Sequence, residues 1–271
     1  MSGTPTPTDE QIQTPTQTQT HTDAEVRFER LTEIESESPT LIEGFPGHGL
    51  VASIAVNQIN QQLDLSHHGN VVSEGFPPVA SFEDGLVQDT VRVYSGADPD
   101  VMTLRSDITL PPSNYKSLSR FVINQLADEF ERAVFLAGAP AENENEIGDV
   151  MGVATHEETR DDLKTAGIPL GDEPGVVGGI TGALANECYH ADIPAAVLIV
   201  RSHPYLPDPT AAQSVIENAL EPLVEFDVDT TELEKQADEI RRQMEQIAKQ
   251  LRQAYGGETE TEAQPQSPMY Q

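Results

Sequence analysis

The sequence predicts a three-layer α/β domain, with helices on both faces of a mixed, mostly parallel sheet, extended by a C-terminal heptad helix. Apolar segments of strand length alternate with helical patterns, which is the arrangement that strand-helix-strand crossovers require. Ala133 to Ala137 and Ala195 to Val200 are continuous apolar runs, as expected of strands covered on both faces. Two glycine turns, Gly44 to Gly49 and Gly178 to Gly182, each stand just before an amphipathic helix.

Residues 1–24 are mainly Thr, Pro and Gln and cannot bury enough apolar surface to offset ordering entropy, so a disordered tail is expected there. The α/β domain is placed at 25–228. Val26, Phe28 and Ile34, then Leu41-Ile42, read as two short strands leading into the first glycine turn. Val51, Ile54, Ala55, Ile59 and Leu63 follow at helical spacing. Glycine at Gly44, Gly47 and Gly49 permits positive φ and close approach of helix to strand, while free N-H groups collect at the helix start. Such a corner either holds an anion or simply packs.

Val71-Val72 read as the next extended segment, with His67-His68 in a polar loop before it. Val79 to Phe82, then Asp84-Gly85 and Leu86 to Tyr94, predict a hairpin through a type I′ turn. Val101 to Leu104 is a strand. Ser113 is the expected N-cap of a helix whose apolar face runs from Tyr115 to Phe130. Val150 to Ala154 is a strand, Glu157 to Ala166 a polar helix, and the helix after the second glycine turn runs to about His190. Pro207-Asp208-Pro209 starts the last helix of the domain.

Residues 229–255 form a helix of different character. Leu233, Ala237, Ile240, Met244, Ile247 and Leu251 alternate by four and three, a heptad seam, with Asp238–Arg242 and Glu245–Lys249 as supporting pairs. The seam packs either on its own domain or between subunits of a homo-oligomer. Gly256-Gly257 ends it, and residues 256–271 are polar and expected to be flexible, closing on Met269-Tyr270-Gln271.

Fifteen basic against 46 acidic residues give a formal charge of -31, which disfavours nucleic acid and anionic membrane surfaces as partners. A dispersed acidic surface with few lysines is also what concentrated salt requires, and a salt-adapted cytoplasm is expected. The single cysteine, Cys188, excludes an internal disulfide and sits among apolar residues as a buried thiol. The sequence shows neither a secretion signal nor an apolar run of the ~20 residues a membrane helix needs, so a soluble cytoplasmic protein is expected.

Catalytic motifs are scarce. Leu50 follows Gly49 where a phosphate-binding loop needs lysine, and Gly44-x-x-Gly47-x-Gly49 lacks the dinucleotide spacing. His156-Glu157-Glu158 lacks the second histidine of a zinc helix. No metal, cofactor or catalytic residue is expected. The candidate ligand positions are Gly44, Gly47, His48, Gly49, Gly178, Gly179, Thr181 and Gly182, which would serve a small-ligand or phosphate-binding enzyme if the turns bind rather than pack.

Gly44-Phe45-Pro46-Gly47-His48-Gly49-Leu50-Val51, Phe76-Pro77-Pro78, Gly178-Gly179-Ile180-Thr181-Gly182 and Asp208-Pro209-Thr210-Ala211-Ala212 follow one another in an order that resembles the proteasome assembly chaperone 2 family in its archaeal form. The resemblance covers roughly Val26 to Tyr255. It implies a phosphorylase/hydrolase-like fold and a non-enzymatic chaperone or ATP-independent activator. Met269-Tyr270-Gln271 resembles the hydrophobic-tyrosine-any ending by which proteasome activators dock between α subunits of the core particle. An oligomer would present several such tails at once.

Overall fold

The computed structural model describes residues 25–33, 36 and 38–255. Its elements are β1 (Val26–Arg30), β2 (Thr40–Gly44), α1 (Val51–Gln62), β3 (Ser66–Ser73), β4 (Ser81–Glu83), β5 (Leu86–Gln88), β6 (Val91–Ala97), β7 (Asp100–Ser106), α2 (Tyr115–Phe121) and β8 (Arg132–Pro140). There follow β9 (Val150–Ala154), α3 (Glu157–Thr165), α4 (Gly179–His190), β10 (Ala195–Ser202), α5 (Pro209–Val215), α6 (Glu221–Val224) and α7 (Thr231–Tyr255).

Eight strands form one sheet in the order β1-β3-β6-β7-β2-β8-β10-β9. The central four, β7-β2-β8-β10, are parallel, and β3 runs with them; β1, β6 and β9 run the other way. Neighbouring residues of the central strands serve opposite cores, because side chains alternate across a sheet. Leu41, Phe135 and Val197 face α2 and α4, while Ile42, Leu136 and Leu198 face α1 and α5. Burial on both sides explains why these strands read as unbroken apolar runs.

Three expectations change on contact with the structure. His67 and His68 lie in β3 rather than in a loop. His67 stacks on Tyr94 with ring centroids 5.0 Å apart, while His68 is buried and meets Glu129 at 3.0 Å. A strand forms despite the polar residues because cross-strand partners supply the contacts that local propensity does not. Ser113 is not a cap. It sits within a 3-10 turn, Pro112–Asn114, and Asn114 holds the cap position without a side-chain hydrogen bond. The expected helix to Phe130 is α2 followed by a π turn at Val122–Leu126 and a 3-10 turn. Finally, Leu86 to Tyr94 is not one strand. Asp84 and Gly85 both take positive φ, as a type I′ turn demands, but β4 and β5 form a separate two-stranded sheet. The chain breaks at Asp89-Thr90 because those carbonyls are committed to the Arg92 side chain and the Asp107 N-H.

Helix starts follow local chemistry. Asp208 caps α5, its carboxylate accepting from Ala211 N at 3.0 Å and from His203 N at 2.7 Å. Cys188 is buried in the core, and burial pushes its thiol up to about 12, which leaves it a poor nucleophile. Among the described residues no helix is long and apolar enough to cross a membrane.

Candidate functional site

The carboxyl ends of β2, β8 and β10 meet the first glycine turn. After Gly44 the chain passes Phe45 and Pro46, makes a 3-10 turn at His48–Leu50 and enters α1. Gly49 adopts φ +61° with Ser202 directly beneath it, so any side chain there would be strained and would collide. Gly44 lies against the Val56 side chain, whereas Gly47 and His48 are exposed. The Asp208 N-H donates to the Gly49 carbonyl at 2.8 Å, tying the turn to the start of α5. Leu50, at the N-cap of α1, also takes a positive φ of 50° and leaves its side chain partly in solvent. Left-handed backbone costs a non-glycine residue about 1 kcal/mol.

The second turn meets the first through a residue that the sequence analysis passed over. Glu43 is wholly buried at the end of β2. Its Oε1 accepts from Phe45 N at 2.9 Å, and its Oε2 lies 3.3 Å from the Thr181 hydroxyl of α4, 138 residues away. Burial pushes its carboxyl up to about 8, although the Phe45 and Leu136 N-H groups and Thr181 pull the other way. Glu43 is therefore largely a neutral acid at neutral pH. With no exposed surface it reaches no substrate; it joins the two turns. The signal was present: in a strand covered on both faces, Leu-Ile-Glu-Gly must bury its glutamate too.

At the second turn Gly178 and Gly179 border open space, and Gly179 has φ +70°. Gly182 is different, because a Cβ there would strike the Val177 carbonyl. The structure thus brings Thr181 and the Gly44–Gly49 turn together and leaves His48, Gly47 and Gly178 facing outward.

Thr155, His156 and Asp192 form a line reminiscent of nucleophile, base and acid. Thr155 Oγ is 2.7 Å from His156 Nδ1, and His156 Nε2 is 3.0 Å from Asp192. Yet Thr155 Oγ accepts from Ala195 N at 2.8 Å and lies 3.2 Å from the Ile193 and Ala195 carbonyls, which fix it as a strand-end brace. Asp192 stands almost fully in solvent, where its pull on the imidazole is screened.

The heptad seam divides along α7. Leu233 is 2% exposed and belongs to the chain's own core, Ala237 and Ile240 are half-buried, and Met244 is 43% exposed. The side chains of Ile247 and Leu251 fall outside the described residues, as do Met269, Tyr270 and Gln271. The Asp238 carboxylate takes Arg241 at 2.7 Å rather than Arg242, which donates to the Asp238 carbonyl instead.

Residues 41–248 match the model of the PAC2 family. The chain is 32% identical over 213 residues to an uncharacterized protein of Methanocaldococcus jannaschii, an alignment spanning 79% of this chain and 87% of that one. Among solved structures it is similar to Pyrococcus furiosus PbaA, an archaeal homolog of proteasome-assembly chaperone, with a TM-score of 0.75 and 28% identity over 85% of this chain and 94% of that one. It is also similar to Pyrococcus furiosus PbaB, an archaeal proteasome activator, with a TM-score of 0.73 over 83% of this chain and 99% of that one. At 19% identity that second likeness speaks to fold alone.

Proposed function

Because this chain belongs to the PAC2 family, we propose that it is a proteasome assembly chaperone or ATP-independent activator, docking on the α ring of the core particle through Met269, Tyr270 and Gln271. The observation that carries the reading is the likeness to PbaA, which covers 85% of this chain and 94% of that one. The proposed role is non-enzymatic and cytoplasmic, and no cofactor takes part.

The ending suits insertion into a crevice. Tyr270 offers apolar area and a hydroxyl, and the α-carboxylate of Gln271 offers a charge for a basic pocket residue. From Tyr255 the tail can span at most ~55 Å. A single tail binds weakly, whereas several on one oligomer gain ~10² to 10⁴ in avidity if they engage together.

The oligomer is proposed to form along α7. Ala237, Ile240 and Met244 continue the seam past the point where Leu233 leaves the core, and Ile247 and Leu251 extend the heptad. Within the sequence of α7 five cations balance five anions, so this helix is neutral in a chain of net charge -31. Self-association there meets little of the repulsion that the rest of the surface would exert.

The test is co-purification of core particles with the full chain, with a chain lacking 269–271, and with Tyr270→Ala. Both changes should abolish or sharply weaken association. Undiminished binding would remove the docking role.

A further inference from the structure

Four of the large hydrophobic side chains most open to solvent lie within nine residues, at Val79, Phe82, Leu86 and Val87. They belong to the β4–β5 hairpin and its approach. In the hairpin's register Phe82 faces Val87 across one side and Leu86 faces Glu83 across the other. The exposures of Phe82, Leu86 and Val87 are 79%, 71% and 77%, so both faces of the ribbon carry uncovered apolar groups. A two-stranded ribbon on its own is marginal in water.

This ribbon is nevertheless held firmly at its base. Asp107 takes Arg92 at 2.8 Å and Arg105 at 2.6 Å, and Arg92 also donates to the Asp89 carbonyl, just after β5, at 2.9 Å. Between the ribbon and β3 lies a groove of about 650 Å³, lined on its apolar side by Val72, Phe76, Pro78 and Leu86. Gln88 also lines it, and the Gln88 Oε1 is buried without a donor.

The charged residues that line the groove are acidic: Glu74 and Asp89 border it, Glu83 and Asp84 belong to the hairpin that forms one wall, and no lysine or arginine is among the lining residues. A groove with both apolar and acidic lining selects for apolar groups flanked by cationic donors. A second copy fits poorly, since it brings the same acidic surface to the contact.

We propose that the β4–β5 hairpin and its groove form a docking surface for a partner protein segment that presents an apolar face flanked by lysine or arginine. Its apolar side chains cover Phe82, Leu86 and Val87, and its cations pair with Glu74 and Asp89. This surface is separate from the C-terminal ending and does not depend on it.

The experiment uses the full chain and a labelled amphipathic leucine/lysine peptide, with its leucine/glutamate counterpart, read by fluorescence anisotropy at fixed salt. The lysine peptide should bind and the glutamate peptide should not. Phe82→Ser with Leu86→Ser, and Glu74→Lys with Glu83→Lys, should each weaken binding about tenfold or more. These side chains are exposed, so unchanged thermal melting checks that the variants fold. Glu157→Lys with Glu158→Lys on α3 should leave affinity unaltered. Equal loss in the α3 variant would reduce the effect to bulk charge and overturn the proposal, as would wild-type affinity in the Phe82/Leu86 variant. A drop in oligomer mass by light scattering in that variant would also overturn it, by assigning the hairpin to a second copy.

Discussion

Replacing Glu43 by glutamine isolates the cost of a buried acid. The folded carboxyl titrates near 8 and the unfolded one near 4.5, so the folded state holds its proton more tightly. The sign follows directly: below pH 4.5 both states are protonated and nothing is lost, while between 4.5 and 8 the unfolded state releases a proton that the folded state keeps. Stability therefore falls as pH rises through that window and levels off above it. At about 1.36 kcal/mol per unit, the loss between pH 4.5 and 7 comes to about 3 kcal/mol. Glutamine keeps the acceptor for Phe45 N, and its amide can donate to the Thr181 hydroxyl, so Glu43→Gln preserves the junction without the titration. Urea unfolding followed by circular dichroism, at constant potassium chloride from pH 4.5 to 8.5, should show the variant gaining on the wild type with rising pH and exceeding it at pH 7.5. A wild-type-to-variant difference that stays flat across this range would refute the reasoning.

Leu198→Ala empties a fully buried position on the α1 and α5 face and should cost about 3 kcal/mol in the same unfolding assay. Asp107→Asn strips the buried Arg92 of its ion pair and should cost about 3 kcal/mol at neutral pH. Although partial burial works against it, Ser81, Arg105 and Arg92 hold the Asp107 carboxyl below its usual 3.8, so the contribution stands above pH 3.8 and fades as pH falls further. If the chain self-associates along α7 as proposed, Ile240→Glu with Met244→Glu should lower its mass in light scattering while leaving the circular dichroism of the body unchanged, since neither side chain lies in its core. Lowering potassium chloride from about 2 M to about 0.05 M should lower the melting temperature of the wild type, because screening of the -31 charge is then lost.

Local signals in the chain were dependable where one short segment contains all the physics. Asp84-Gly85 specifies its turn because two successive positive φ values suit few other pairs. Asp208 specifies the start of α5 because its carboxylate meets a backbone N-H three residues on. His67-His68 misled because polar residues were read by propensity, whereas β3 is built by partners on β1 and β6. The glycine turns were found, but their junction was not. The proximity of Glu43 to Thr181 depends on where α4, which packs on β8 and β10, begins: its first turn reaches the end of β2, and no local pattern encodes that meeting.

The sequence by itself determined the layers: its apolar periodicities fix which side chains turn inward and how many faces of each strand are covered. Only the tertiary structure decided the strand order, the reversed edge strands, the departure of β4–β5 from the main sheet and the burial of a neutral Glu43 between the two turns. The physical reason is that periodicity describes each element against an unspecified interior. Register, edge and buried charge depend on which distant element supplies the other side.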